Sequence, residues 1–261
     1  MTPETWFWTL FWFAAGSAAG SLCVTAGIRI PRKESLFRTP AVCPSCSGRW
    51  TAIDLVPIAG WIARGGKCRH CRAPIPPLRF MGEAVTGLLF SILYLNRSSL
   101  AEWVGGILLT LMLVTLSVSD LRYRLLPNRI VYPGFAAFVF YRLLLTPSSL
   151  WDNLFGLLMG GGLLLAVSWV SLWANRPAMG GGDIKLMAAL GWLLGFELIC
   201  LVVILSSFLG LAVGGSLIAA GKIRKDTFLP FGPFIAAAAL FAWLWGRDVV
   251  DAYLNTLLIV L

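Results

Sequence analysis

The chain has 261 residues, 58% of them hydrophobic and 13% charged, with a mean hydropathy of +0.82. Soluble domains carry about a quarter charged residues, so this composition excludes one and predicts an all-α polytopic membrane protein whose core is the helix bundle. The net charge of +9 therefore raises the question of which side of a bilayer the cations face, and no nucleic-acid partner is expected.

The N-terminus, Met1-Thr2-Pro3-Glu4, lacks a basic n-region, so no cleavable signal peptide is expected. A membrane span needs roughly 20 apolar residues. The first runs from about Trp6 to Ile28 and is rich in small residues from Ala14 to Ser21, as close helix packing in lipid requires. Residues 29–79 are polar and hold ten Lys or Arg. Apolar runs follow near 81–95, 103–119, 130–145, 153–174, 184–196, 198–220 and 231–245. About eight transmembrane helices are thus predicted, the sixth short and weakly separated from the seventh. The tail Arg247–Leu261 reads equally as a surface helix or as an extension of the last span. No internal repeat is visible.

With the N-terminus outside, only Arg97, Arg142 and Arg247 of the 21 lysines and arginines fall in outer loops. Cations in short loops stay cytoplasmic, so the loop after the first helix is expected inside the cell. Inside that loop, Cys43-Pro44-Ser45-Cys46 and Cys68-Arg69-His70-Cys71 form two Cys-x-x-Cys pairs. Four thiolates at this spacing suit tetrahedral zinc; a redox dithiol and unliganded thiols are the alternatives. Four sulfur ligands leave no open position, so the zinc is expected to be structural and to supply folding energy to a loop with few large apolar groups. His70 is the only histidine and is expected to face solvent. The other cysteines, Cys23 and Cys200, lie in apolar runs and read as packing residues.

Met179-Gly180-Gly181-Gly182-Asp183-Ile184-Lys185 places a lone carboxylate at the mouth of an apolar run. An acid inside a bilayer costs about 2.5–3.5 kcal/mol on insertion scales and is a functional candidate; as an alternative, Asp183 caps a helix. Among the remaining acids, Glu102, Asp152, Glu197, Asp248 and Asp251 fall toward the outer side, and Glu4, Glu34, Asp54 and Asp226 lie in polar segments. Asp120 ends an apolar run on the predicted cytoplasmic side, the side on which Asp183 begins one; its bland reading is an ion pair with Arg122 or Arg124. Two carboxylates brought close share a proton. The ionised one can activate water, and the protonated one can polarise a scissile carbonyl. A transporter using Asp120 and Asp183 as an ion site is the competing reading. Lys185 is expected to snorkel toward the surface.

Gly181-Gly182-Asp183 resembles the Gly-x-Gly-Asp signature of membrane aspartic proteases. A longer series extends the likeness. It begins with Asp54-Leu55-Val56-Pro57-Ile58, Gly60-Trp61 and Arg64-Gly65-Gly66-Lys67-Cys68 between and within the cysteine pairs. Arg72-Ala73-Pro74-Ile75, Glu83 with Thr86-Gly87, and Asp120 with Pro127-Asn128 come next. The run Met179 to Gly191 and Pro230-Phe231-Gly232-Pro233-Phe234 complete it. In this order residues 16–240 resemble the bacterial type IV prepilin peptidases. The resemblance implies catalytic roles for Asp120 and Asp183 and a prepilin or pseudopilin precursor as substrate, cut after a glycine at the cytoplasmic face of the inner membrane. It also implies N-methylation of the new terminus by S-adenosylmethionine, with Glu83 as candidate donor-binding residue; pairing with Arg79 is the alternative for Glu83. Residues 1–96 would then form the methyl-transfer region and 97–261 the protease. A protease of the same chemistry with another single-pass substrate remains open. One departure is Gly20-Ser21-Leu22-Cys23, where the family pattern has Asn in place of Cys23.

Overall fold

The structure is a computed structural model that describes residues 2–36, 43, 45, 46, 48, 56–146, 149–173, 180–224 and 229–260. Asp54, Leu55, Pro44, Met179 and Asp226, named above, lie outside the described residues. Among those described, every element is helical apart from one antiparallel bridge, Lys67 to Pro74. The helices are α1 (Pro3–Arg29), α2 (Ala59–Ile62), α3 (Leu78–Leu95), α4 (Leu100–Tyr123), α5 (Asn128–Leu144), α6 (Leu150–Trp173), α7 (Gly181–Leu194), α8 (Phe196–Ala219) and α9 (Gly232–Val260).

Each of the eight predicted apolar runs carries a helix, and six of these helices (α1, α3, α4, α6, α8 and α9) are long and apolar enough to cross a membrane. The other two are shorter: α5 has 17 residues and α7 has 14. At 1.5 Å per residue they reach about 26 and 21 Å, against a hydrocarbon core of about 30 Å. By this measure six of the eight predicted spans are met among the described residues, and α5 and α7 fill the other two apolar runs with shorter helices. The tail resolves in favour of extension, since α9 continues unbroken past Arg247. Large apolar side chains on the helix surfaces, such as Phe208 at 67% exposure and Leu211 at 74%, are at home only against lipid, and the protein is a multi-pass membrane protein.

The described residues form two compact units, Met1–Tyr123 and Arg124–Leu261. In the first, α1 packs along α3 and against α4. In lipid no hydrophobic force draws helices together, and close backbone approach between small residues takes its place. A Cβ added at Gly16 would lie 2.8 Å from the Phe90 side chain, and one at Gly20 would lie 2.8 Å from Thr86 Oγ1. The Cys23 thiol donates to the Leu111 carbonyl at 3.6 Å, so the residue replacing the family's Asn ties α1 to α4.

In the second unit α7 is central. Its Leu186, Leu190 and Leu193 are fully buried, and α6 lies across it so closely that a Cβ on Gly191 would come within 2.9 Å of the Leu157 amide nitrogen. Just beyond, α6 widens into a π-helical turn, Leu158–Gly162, in which a Cβ on Gly161 would touch that of Ala188 at 2.8 Å. The end of α7 is fixed by three groups. Gly195 takes φ +84°, a region glycine occupies without strain. Arg142 donates to the Leu193 carbonyl at 2.7 Å through Nε. Asp152 Oδ1 accepts the Phe196 amide at 3.0 Å, capping α8.

Candidate active site and metal centre

Asp120 stands in the last turn of α4 and is only 6% exposed. It belongs to the first unit. Helix α4 stops three residues later, where Arg124 takes φ +52°. Burial of a carboxylate penalises its charged form unless partners compensate, which sets Asp120 apart from an ordinary helix-end acid.

Asp183 belongs to the second unit and is half-buried in the first turn of α7, where its amide donates to the Gly180 carbonyl at 3.1 Å. The N-terminal end of a helix carries partial positive charge that favours a carboxylate. The three glycines before it answer to different demands. A Cβ on Gly182 would meet the Leu126 Cβ at 2.8 Å, whereas one on Gly181 would meet nothing within 4 Å. Packing therefore requires Gly182 to be small but leaves Gly181 unexplained by sterics. Two residues on, Lys185 is exposed, as expected, but it is not merely solvated. Its ammonium donates to Asn128 Oδ1 at 3.1 Å and lies 5.5 Å from the centre of the Tyr132 ring. The Pro127-Asn128 element thereby grips the helix that bears Asp183. Pro233 falls in the first turn of α9, where proline is tolerated.

The four cysteines converge. The sulfurs of Cys43, Cys46, Cys68 and Cys71 all lie within 4.8 Å of one another, with Cys43–Cys71 at 3.8 Å and Cys46–Cys68 at 3.9 Å. Zinc–sulfur bonds of about 2.3 Å give a tetrahedron with edges of about 3.8 Å, so the cluster can hold a metal ion with tetrahedral thiolate ligation. His70 is exposed and outside the set, beside Gly48.

The turns are built for thiolates. Backbone amides of Ser45 and Cys46 aim at the Cys43 sulfur and lower its pKa to about 6; those of Cys71 and His70 lower Cys68. The Gly48 amide favours the Cys46 thiolate as well, but desolvation and the thiols of Cys71, Cys43 and Cys68 outweigh it, and Cys46 is pushed up to about 11. Without a cation, four thiolates at these distances repel; a divalent ion removes that opposition.

Glu83 is 2% exposed, and both of its oxygens are engaged. Oε1 accepts from Arg79 Nε at 3.0 Å and Oε2 from the Ile58 amide at 2.7 Å. Arg79 reaches on to Ser21 Oγ at 2.9 Å. Ile58 takes φ +62°, a strained conformation for a β-branched residue, and the carboxylate holds it there. The adjoining cleft, lined by Trp61, Arg64, Ile75, Arg79 and Glu83 among others, has room for about 20 Å³, the space of a single water. As arranged, both Glu83 oxygens are taken up by protein partners. The Arg79 pair considered in the sequence is present, and Ser21 and Ile58 complete a network that long-range spacing concealed.

A chain of membrane-embedded helices, with a four-cysteine cluster able to hold a metal ion between the first two long ones, is the class of protein these features define. The chain belongs to the type IV leader peptidase family. That family's model matches residues 107–215, and the bacterial N-terminal domain model of the same peptidases matches residues 14–97. The chain is 30% identical over 244 residues to the prepilin leader peptidase/N-methyltransferase of Bacillus subtilis (strain 168), covering 93% of this chain and 96% of that one. The proteins so named from Aeromonas hydrophila and Pseudomonas aeruginosa are 34% and 33% identical. Those matches cover 83% and 82% of this chain, and 75% and 74% of the relatives. No solved structure matches it.

Proposed function

We propose that this protein removes the basic leader peptide from type IV prepilin-like precursors at the cytoplasmic face of the bacterial inner membrane and then N-methylates the new terminus. The observation that carries this reading is the near end-to-end match to relatives named for both activities. In this reading Asp120 and Asp183 are the two catalytic carboxylates. The ionised one takes a proton from water as the water attacks the scissile carbonyl. The protonated one polarises that carbonyl and hands its proton to the leaving amine. Asp120 is buried near the end of α4 and Asp183 is half-buried at the start of α7, so the two carboxylates stand in different surroundings, as such a division of labour needs. The transporter reading finds no support among the relatives.

Zinc, held by Cys43, Cys46, Cys68 and Cys71, braces the loop after α1. S-adenosylmethionine supplies the methyl group, and residues 1–96 are assigned to its transfer, with 97–261 assigned to cleavage. Glu83 acts in that first region as a positioning residue for the loop.

The test is direct. Membranes holding the protein are mixed with a pilin precursor, with and without S-adenosylmethionine, and the product's N-terminus is read by mass spectrometry. Cleavage after a glycine, followed by a gain of one methyl group only when the donor is present, is expected. An uncut precursor refutes the reading.

A further inference from the structure

The turn that carries the second cysteine pair presents a concentrated cationic surface. Arg64, Lys67, Arg69 and Arg72 line one cleft of about 500 Å³ with Ala63 and Cys68. Lys67, Arg69 and Arg72 are exposed, and among the described residues none has a carboxylate within 4 Å. The scaffold beneath them is rigid. Cys68 donates to the Ala73 carbonyl at 2.9 Å, Arg72 to Cys68 at 3.0 Å and Ile75 to Gly66 at 2.7 Å. Arg72 itself takes φ +55° to close the turn. Three unpaired cations on a fixed hairpin repel one another and hold a positive field that a flexible loop would relax.

The hairpin is also tied to the bilayer. Lys67 pairs with Pro74, only four residues before the start of membrane-spanning α3, so that arm of the hairpin lies within about 13 Å of α3 along the chain, and Arg72 within about 20 Å. Long basic side chains close much of that gap. Ile62, in α2 next to the cleft residue Ala63, is 60% exposed, and Met81, in the first turn of α3, is 56% exposed, so bare apolar surface accompanies the charges toward the membrane helix. Cations backed by apolar groups at a membrane boundary suit a negatively charged headgroup above acyl chain.

We propose that this cleft is a docking surface for anionic phospholipid headgroups, whose phosphates sit among Lys67, Arg69 and Arg72. The bound lipid turns a cationic surface into an acidic one. A basic leader peptide, which the protein's own inner loops would repel, then meets acidic headgroups where the hairpin adjoins the membrane. That consequence rests on the proposed prepilin reading and on the cytoplasmic placement of the hairpin; the lipid site itself rests on neither.

The full-length zinc-loaded protein is placed in mixed phosphatidylcholine and phosphatidylglycerol, and the lipids it retains on release are weighed by native mass spectrometry. Each cation near an anionic surface contributes about fivefold. The retained ratio of phosphatidylglycerol to phosphatidylcholine should therefore fall about ten- to a hundredfold in K67Q/R69Q/R72Q. It should survive in R69K/R72K and collapse toward the triple variant's value when wild type is held in high salt. Zinc content, measured alongside, shows whether the hairpin is intact. Should the triple variant lose its zinc, the salt series and the charge-keeping variant decide. A ratio unchanged by charge removal and by salt would overturn the proposal, whether or not any precursor is cut.

Discussion

Gly181 and Gly182 flank the same carboxylate yet answer to different constraints, and this makes them a sharp pair to separate. Alanine at 182 drives a methyl group into Leu126, and an overpacked site costs about 1–3 kcal/mol. Alanine at 181 meets no atom, so G181A should melt with the wild type while G182A melts several degrees lower. If G181A nevertheless cuts precursor slowly, the space above Gly181 is wanted for the substrate's backbone. The acids themselves give a coarser test. D120N and D183N keep size and shape but remove acid–base chemistry, and each should lower leader removal by about 10²–10⁴-fold or more at an unchanged melting temperature. Normal cleavage by either variant would dismiss the two-carboxylate mechanism. Asp183 announces itself by its glycines; Asp120 was reached by elimination among the acids and by its place in the family-like motif order, because nothing local marks a helix-end acid as buried.

At the scale of elements, reach along the chain decides what could be read in advance. The convergence of the four cysteines was legible because each Cys-x-x-Cys is a local turn and only one pairing of turns is needed. Glu83 with Arg79 was legible too, being one helical turn apart. Its bond to Ile58 spans 25 residues and the Arg79 bond to Ser21 spans 58, and no periodicity reports such distances. The same holds for Arg142 and Asp152, which fell in predicted outer loops and prove to fix the junction of α7 and α8. The Glu83 network therefore predicts a structural phenotype. Glu83→Ala strands a strained Ile58 amide and leaves Arg79, itself about a fifth exposed, without its carboxylate. A cost of about 2–3 kcal/mol is expected, read as a lower melting temperature. Methylation and cleavage should both fall in step with the folded fraction. Loss of methylation alone, at full stability, would instead make Glu83 a donor-binding residue.

The metal cluster's response to pH is a second prediction at this scale. Zinc must displace every proton bound to its ligands. In the metal-free state at neutral pH, Cys43 at about 6 is already ionised while Cys46 at about 11 is not. As pH falls through 6, Cys43 also takes up a proton, so one further proton competes and zinc affinity should drop more steeply with acid. Purified protein should hold about one zinc per chain at neutral pH and release it to a chelator progressively faster below pH 6. A metal content near zero with four free thiols, or retention indifferent to acid, would count against tetrahedral thiolate ligation.

For the whole molecule, hydropathy located each long helix but neither the short α2 nor the helix lengths. The helices α5 and α7 occupy predicted spans with only 17 and 14 residues. The reasons are local stops that hydropathy ignores: Pro127 and the end of α5 for one, Gly195 with its Arg142 and Asp152 anchors for the other. A short helix that carries Asp183 in its first turn, and whose far end is held by Arg142 and Asp152, fixes the carboxylate at the mouth of an apolar run. Such an arrangement suits chemistry on a chain entering the membrane better than ion passage through it. Orientation is then the decisive global property, and it follows from cation bias alone. Ser35, after α1, and Ser98, between α3 and α4, are both exposed, and the bias assigns them to opposite faces. Cysteine placed at Ser98 should react with a membrane-impermeant maleimide in intact spheroplasts, whereas cysteine at Ser35 should react only after lysis. The zinc-bound native thiols should stay silent in both. If Ser35 proved to be the outward-facing position, the cysteine cluster after it would lie outside the cell with it, and a peptidase acting on cytoplasmic leaders could not be built on this chain.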